Sequence, residues 1–522
     1  MRLLSLFPLL LSCSFSLDIL MYVNVVGKSH LQFAEKIIAL LAKHGHNVDL
    51  ALGMLNSGVV VSGNYGARKM VDVHFPGEGS SWGKAVHLTS PFEELSEWNR
   101  LTQPPSNFIE TSEQLCDHLL NSTEVADIFT SRKYDLALIS GYDLCPFGIA
   151  HHYKISPVVS FVPTPSFQTQ FYYSGHPEIP LYETTMFDAS HTDRSEFGVR
   201  VFEFLRTAKD RYYHISAHAA INTKLRARFG ADFPDVGEIM MQTSLDFSNS
   251  HPLLEEPKPI SLRLRYIGGV GLPKPKPLSK DLDKMLDRAE KGTVIFSLGT
   301  QVKPEVITAE LQQVFVNTFK LFPEYNFLWK FDGKTQRNAS NIFNFAWLPQ
   351  TDLLYDSRVV AFISHMGLNS FTETSFAGVP VVSIPLFADQ VHNARRAKAL
   401  GFGEIVRKSE VTEANLVRAL EKVLFEERYR NRAKEISRMI SATTDNPERI
   451  FIDGIEFAAK FKNLSSHYRL AGANHNFLVQ MGWDVAAFFT AITILSTYLT
   501  IKASVFVLRI IASVVRIKRK ME

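Results

Sequence analysis

From Val359 to Ile384 the chain reads strand, tight turn, helix, strand, and that order admits few folds. Val359-Val-Ala-Phe-Ile-Ser364 is an unbroken apolar run of the kind found in strands buried on both faces. His365-Met366-Gly367 makes a turn, Leu368 to Phe376 can run as a helix, and Ala377-Gly378-Val379-Pro380 ends it before a second strand, Val381 to Ile384. Two such strands joined through a helix must lie parallel, in a sheet covered on both sides. The same grammar stands near the N-terminus. Ile19 to Val26 reads as a buried strand and Gly27 to His30 as a turn. In Leu31 to Ala42, Leu31, Ala34, Ile37, Ile38 and Leu41 share one helical face; Gly45 stops the helix and Val48 to Leu52 resumes a strand.

These two βαβ starts lie far apart in a chain of 522 residues, long enough for several folded units. Between them Gly268-Gly-Val-Gly271-Leu-Pro-Lys-Pro-Lys-Pro277 combines bends with three prolines that forbid helix, so it reads as an extended linker. The expected division is 17–267 for an N-terminal α/β unit, 268–280 for the linker, 281–450 for a second α/β unit and 451–484 for a helical segment. Strands are expected at Tyr134 to Ile139, Val158 to Val162, Val294 to Gly299 and Asn326 to Lys330, with a helix near Glu310 to Lys320. From Ser166 to Leu254 the pattern turns irregular, helical and rich in Phe and Tyr. No repeat relates the halves, and the GxGxxG and GxxxxGKS patterns are absent, which weakens dehydrogenase and P-loop readings.

The ends read as addresses. Met1-Arg2, an apolar run from Leu3 to Cys13 and Ser14-Phe15-Ser16 have the form of a secretory signal over 1–16. Val485 to Ile501 carries no charge and the apolar character resumes after Lys502, giving an expected membrane span at 485–508 and a basic tail at 509–522. Basic residues beside a span mark the cytosolic side, so the large N-terminal part is expected in the lumen. The net charge of +3 is a property of that tail, since Lys502 to Glu522 alone holds six bases and one acid. Nothing remains to argue for nucleic acid, which calls for basic residues spread over a folded face. Apart from Cys13 there are two cysteines, Cys116 and Cys145, open to one disulfide or to two free thiols. Asn121, Asn338 and Asn463 begin glycosylation sequons.

The chemistry concentrates between Trp347 and Gln390. The first N–H groups of a helix opening at Leu368 lack partners, and its positive dipole end favours an anion. Gly367 lets backbone approach closely, while His365, Asn369 and Ser370 add donors at the same end, so a diphosphate fits there. Glu373 shares a face with Asn369 one turn on, placed to accept hydrogen bonds from ribose hydroxyls. Asp389 and Gln390 follow the next strand, where an acceptor and an amide can hold sugar hydroxyls. Each residue alone has a duller reading as core, cap or solvated surface. Their order together does not.

The run Trp347-Leu-Pro-Gln350, Ser364-His-Met-Gly367-Leu-Asn369-Ser370, Glu373, Ala377-Gly-Val-Pro380 and Asp389-Gln390 resembles the signature of UDP-glycosyltransferases, most closely the membrane-anchored UDP-glucuronosyltransferase branch of animals. The likeness extends to Ser29-His30, Cys145, the Gly-Gly and Pro-Lys-Pro linker, Ser297-Leu-Gly-Thr300 and both apolar ends. It implies a GT-B architecture, α/β with two Rossmann-like domains facing a cleft plus a C-terminal transmembrane helix. The acceptor then sits in the N-terminal half and the UDP-sugar in the C-terminal half. It also implies that Trp347 stacks on uracil and Gln350 binds the uridine part, and that Ser297, Thr300, His365, Asn369 and Ser370 face the diphosphate. Glu373 then takes the ribose, and Asp389 with Gln390 takes the transferred sugar. The chain departs from vertebrate members at Met366 and Ser370, where a glycine-richer turn is usual.

By the same resemblance His30 is the general base of an inverting transfer, taking the proton of an acceptor hydroxyl as that oxygen attacks the anomeric carbon. The acid that commonly orients this histidine matches Ser140 here and is missing; Asp143 is the nearest substitute. The expected protein is an endoplasmic-reticulum, single-span, lumenal UDP-sugar transferase acting on small lipophilic acceptors. UDP-sugar serves as co-substrate, and no metal or other cofactor is implied. Homo- or hetero-oligomerisation stays open. A catalytically inactive UDP-sugar binder or accessory subunit is the alternative, raised by Ser140.

Overall fold

A computed structural model describes residues 16–55, 59–74, 92, 108–166, 172–173, 196–300, 302, 304–333, 339–470, 472–473 and 475–522. The signal read over 1–16, Cys13, the sequon at Asn338 and much of the aromatic-rich span after Ser166 lie outside them, save for Ser16.

Two parallel sheets carry the fold. The first comprises β1 (Asp18–Val25), β2 (Asn47–Met54), β3 (Lys69–His74), β4 (Leu136–Ser140), β5 (Val158–Val162), β6 (Asp246–Ser248) and β7 (Leu264–Tyr266), in the spatial order β3-β2-β1-β4-β5-β6-β7. The second holds β8 (Gly292–Ser297), β9 (Tyr325–Lys330), β10 (Ile342–Phe345), β11 (Val359–Ser364), β12 (Val381–Ser383) and β13 (Gly403–Ile405), ordered β10-β9-β8-β11-β12-β13. Both are doubly wound. The order of strands reverses at β1/β4 in one sheet and at β8/β11 in the other, and ligands of such sheets lie at the carboxyl ends of the strands flanking a reversal. The register Tyr22↔Ile139 and Ser364↔Ser297 brings those ends level.

The apolar runs explain the layering. Ile19, Met21, Val23 and Val25 turn to one face of β1 against Ala34, Ile37, Ile38 and Leu41 of the helix Lys28–Lys43, whose heptad-like spacing is the one read from sequence. Leu20 and Tyr22 turn to the other face. In the second sheet Val294 and Phe296 pack under Phe315, Phe319 and Trp329, while Ile295 and Phe362 face Phe371 and Phe402.

Two findings go beyond the periodicity. Phe197–Phe229 is one helix of 33 residues. Its pattern hides it, because Glu203 and Arg206 are buried on it as well as Val199 and Leu225, so no simple apolar stripe runs along it. The helix Pro447–Lys460 crosses back to the first sheet, where Phe451, Ile452, Ile455 and Ala458 join the core around β1. The chain therefore passes between the units twice, and the helical stretch after 450 is part of the N-terminal core. Cys116 and Cys145 are disulfide-bonded, with Cα atoms 5.5 Å apart, tying the helix Phe108–Asn121 to Cys145–His152.

Candidate active site

In the first unit the reversal point presents His30 and the turn after β4. Val25 ends β1, Gly27 caps the next helix with extended backbone, and His30 falls in that helix's first turn, half-buried. Its Nδ1 lies 2.9 Å from the main-chain oxygen of Asn24. Burial holds its pKa below the ordinary value, against the upward pull of that carbonyl. Tyr142 stacks on the imidazole with centroids 5.7 Å apart and planes 20° off parallel.

Asp143 does not pair with that ring. Its Oδ2 accepts from the Tyr22 hydroxyl at 3.2 Å and from Asn24 Nδ2 at 3.4 Å, and its Oδ1 from the Cys145 N–H at 3.0 Å. Burial pushes its pKa up to about 6 in spite of these donors. The expected direct carboxylate–histidine contact is thus replaced by one through Asn24. The physical reason is the turn, where Asp143 caps the start of the helix Cys145–His152 and is held there by its N–H.

In the second unit His365 follows β11 and its N–H reaches the Ser297 carbonyl of β8 at 3.4 Å. The ring lies between two glycines. A Cβ at Gly299, where φ is +84°, would stand 2.5 Å from Nε2, and one at Gly367 would stand 2.7 Å away. No side chain fits at either position while the ring stays. Burial first, then Lys330, push the His365 pKa down to about 4, so the ring is neutral and offers an N–H rather than a charge. Its Nδ1 is buried without a partner. Ser297 Oγ accepts from Gly299 N–H at 3.2 Å and so shapes this turn, and Thr300 beyond it is exposed.

Gly367 caps the helix Leu368–Ala377 without a side-chain bond, and Asn369 and Ser370 lie in its first turn. Glu373, one turn on, is gripped by Gln350 Nε2 and by Thr351 Oγ1 at 3.2 Å, and Gln350 also donates to Ser370 Oγ at 3.2 Å. Burial raises the Glu373 pKa, opposed by those two donors and by Lys36 of the first unit. Trp347 is 60% exposed. Asp389 Oδ2 accepts from Asn393 Nδ2 at 2.8 Å, and its carboxyl takes the Leu368 N–H as well. Gln390 spends its Oε1 on the Leu386 and Phe387 N–H groups, 2.9 and 3.2 Å away, so its amide nitrogen is the group left for a ligand.

The two halves meet across the cleft. Asp389 is close enough to Tyr142 to help burial keep that phenol protonated, which sets His30, Tyr142 and Asp389 in sequence across the gap. Sequence reasoning missed Asn24, Tyr142 and Lys330. Lys330 ends β9 with Nζ 4.6 Å from the Trp347 ring centroid and 3.4 Å from the Gly299 oxygen, beside His365. A charged residue closing the apolar run Phe327 to Trp329 at a strand's carboxyl end was the available signal for it. Asn24, an amide inside an otherwise apolar strand, was another.

Among solved structures, the calicheamicin glycosyltransferase CalG4 superposes with a TM-score of 0.58 at 16% identity, over 85% of this chain and 99% of its own. The glycosyltransferase SnogD from Streptomyces nogalater gives 0.51 at 17%, with the same coverage. The fold is that of GT-B glycosyltransferases. The family described as "UDP-glucoronosyl and UDP-glucosyl transferase" matches residues 23–521, and the chain belongs to it. UDP-glucosyltransferase 2 of Dactylopius coccus is 26% identical over 93% of this chain and 92% of its own length. UDP-glucuronosyltransferase 2A2 of Mus musculus is 26% identical over 81% and 79%. The mouse 2-hydroxyacylsphingosine 1-beta-galactosyltransferase is 27% identical over 79% and 74%. The protein is a UDP-glycosyltransferase, an enzyme that transfers sugar from a UDP-sugar.

Proposed function

We propose that the transfer is inverting, with His30 as general base and small lipophilic molecules as acceptors. The observation that carries this reading is the Nδ1 contact to Asn24. A carbonyl only accepts, so Nδ1 bears the hydrogen and Nε2 keeps the lone pair that takes the acceptor's proton. The acceptor oxygen then attacks the anomeric carbon from the His30 side while UDP leaves toward the second unit. In this reading Trp347 stacks on the uracil, with Lys330 on its ring, and Glu373 accepts from the ribose hydroxyls. The N-terminus of Leu368–Ala377, His365 and Lys330 receive the charge growing on the leaving diphosphate. Asp389 and the Gln390 amide hold the sugar. The family match lends the non-catalytic alternative no support.

The helix Trp483–Met521, with mean hydropathy 1.8 in its most apolar window and none of that window buried, supports membrane anchorage. The disulfide and the basic end, Arg516 to Lys520, support a lumenal catalytic part and a cytosolic tail, as in the endoplasmic reticulum. The test is turnover of UDP-glucose, UDP-glucuronate and UDP-galactose by membranes carrying the protein, against phenol and steroid acceptors, with the anomeric configuration of the product determined. A His30→Ala variant should lose about 100-fold or more in turnover while still binding UDP. Retained turnover, or product with the donor's configuration, would sink the mechanism.

A further inference from the structure

The acid expected behind His30 is missing from its place. Ser140 ends β4 with its hydroxyl buried and without a hydrogen-bond partner. Asp143 faces Tyr22, Asn24 and the Cys145 N–H. What meets the imidazole is a neutral main-chain oxygen, on a strand hydrogen-bonded to neighbours on both sides and so fixed in place. Resting on the assignment of His30 as the base, we infer that His30 works without a carboxylate partner, and that this fits the enzyme to acceptors with an acidic O–H, phenols above all, over aliphatic alcohols. Asn24 is the positioning residue, and Asp143 acts on the ring only through the Asn24 side chain.

The chemistry follows from where charge develops. As the O–H proton passes to Nε2, the oxygen bonds to the anomeric carbon, the bond from that carbon to the diphosphate breaks, and its electron pair leaves with UDP. His30 becomes imidazolium. A carboxylate on Nδ1 would meet that cation with a full opposite charge, which favours the protonated ring, whereas the Asn24 carbonyl offers only its dipole. Among the described residues, the other groups facing the ring add little to compensate. Tyr142, from the turn after β4, stacks on it with a phenol that stays protonated; Asp389, across the cleft, stands behind Tyr142; and Asp143 stands behind Asn24. Burial lowers the ring's own proton affinity further. A weak base moves a proton readily only from an acidic donor. A phenol, with a pKa of about 10, meets that condition, and an alkyl hydroxyl, near the value of about 15.7 for water, does not.

The test uses the full-length protein in membranes, with UDP-glucose, UDP-glucuronate and UDP-galactose each as donor. Naphthol and naphthylmethanol serve as acceptors, because they share an apolar body and differ in O–H acidity. The expected kcat/KM for naphthol exceeds that for naphthylmethanol by about 100-fold or more. Asp143→Asn keeps the acceptor atom for Asn24, so it should cost less than about tenfold on naphthol and leave the acid limb of the pH–rate profile in place. Ser140→Asp should move that limb to higher pH and narrow the naphthol preference. Equal kcat/KM on the two acceptors overturns the inference, as does an Asp143→Asn loss equal to that of His30→Ala. UDP affinity, measured on every variant, reports an intact fold; if Ser140→Asp fails to bind UDP, the acceptor ratio and Asp143→Asn decide. His30→Ala with unimpaired turnover would instead remove the base assignment itself, whatever the acceptor ratio.

Discussion

Glu255 of the N-terminal unit places Oε1 3.2 Å from Nε2 of His392 in the helix Gln390–Ala399 of the C-terminal unit. Both side chains are buried, and Arg396 of the same helix donates to the Leu254 carbonyl at 3.1 Å. This contact fixes the helix that begins with Gln390, proposed above to hold the sugar, against the first domain. Burial alone would raise the Glu255 pKa; Lys258 and His392 overcome it and bring the value down to about 2.

The pH dependence of that anchor has a definite sign. A carboxyl whose pKa falls on folding contributes stability above its unfolded value, here 4.5, and loses it as the pH drops toward 2. Between pH 6 and pH 3 the unfolding free energy of the wild type, read from denaturant titrations, should fall, and that of Glu255→Gln, already lower by about 1–3 kcal/mol, should fall less. Parallel curves for the two proteins would contradict this role.

Donor binding should depend on His365 and Glu373. On the proposed reading His365→Ala removes an N–H that faces the diphosphate, and Glu373→Ala, which also frees Gln350 and Thr351, removes the acceptor proposed for the ribose hydroxyls. Each should weaken UDP binding by about 1–3 kcal/mol, measured by calorimetry, with acceptor affinity little changed. Unaltered UDP affinity in both would displace the donor site from the second unit.

Met366 tests a departure in the donor turn. Its φ of +62° costs about 1–2 kcal/mol in a residue with a Cβ, which argues that glycine should improve the turn. Its side chain, however, is wholly buried among Phe362, Leu368 and Phe371. Removing a buried methionine side chain costs about 2–5 kcal/mol, so burial outweighs strain. Met366→Gly should lower stability in a denaturant titration; a gain would show that the backbone strain dominates.

The terminal helix should be separable from the catalytic fold. Its most apolar window makes no buried contact, and at about 1.5 Å per residue its 39 residues extend well beyond a hydrocarbon core of about 30 Å. A chain ending at Gly482 should leave the membrane fraction yet bind UDP as before. In the full chain the basic stretch Arg516 to Lys520 should be open to protease in sealed microsomes. Protection of the tail would reverse the proposed orientation.

By itself the sequence determined the local and the covalent. The strand, turn and helix runs of both units follow from short-range apolar periodicity and glycine or proline stops, which act over a few residues. His30, His365, Glu373 and Asp389 could be named as candidates because each stands at a fixed place in runs that resemble the family's signature. Tertiary structure decided what depends on two distant segments meeting. It set the Nδ1 of His30 on a backbone oxygen, which no residue type announces, and it turned Asp143 toward Tyr22 and Asn24. It paired Cys116 with Cys145, where the spacing had allowed free thiols. It also returned Phe451 and Ile455 to the first domain's core, and it buried Glu203 and Arg206 in a helix whose sequence shows no stripe. Such contacts are set by the packing of whole sheets and by partners far along the chain, and neither is written in any one stretch of residues.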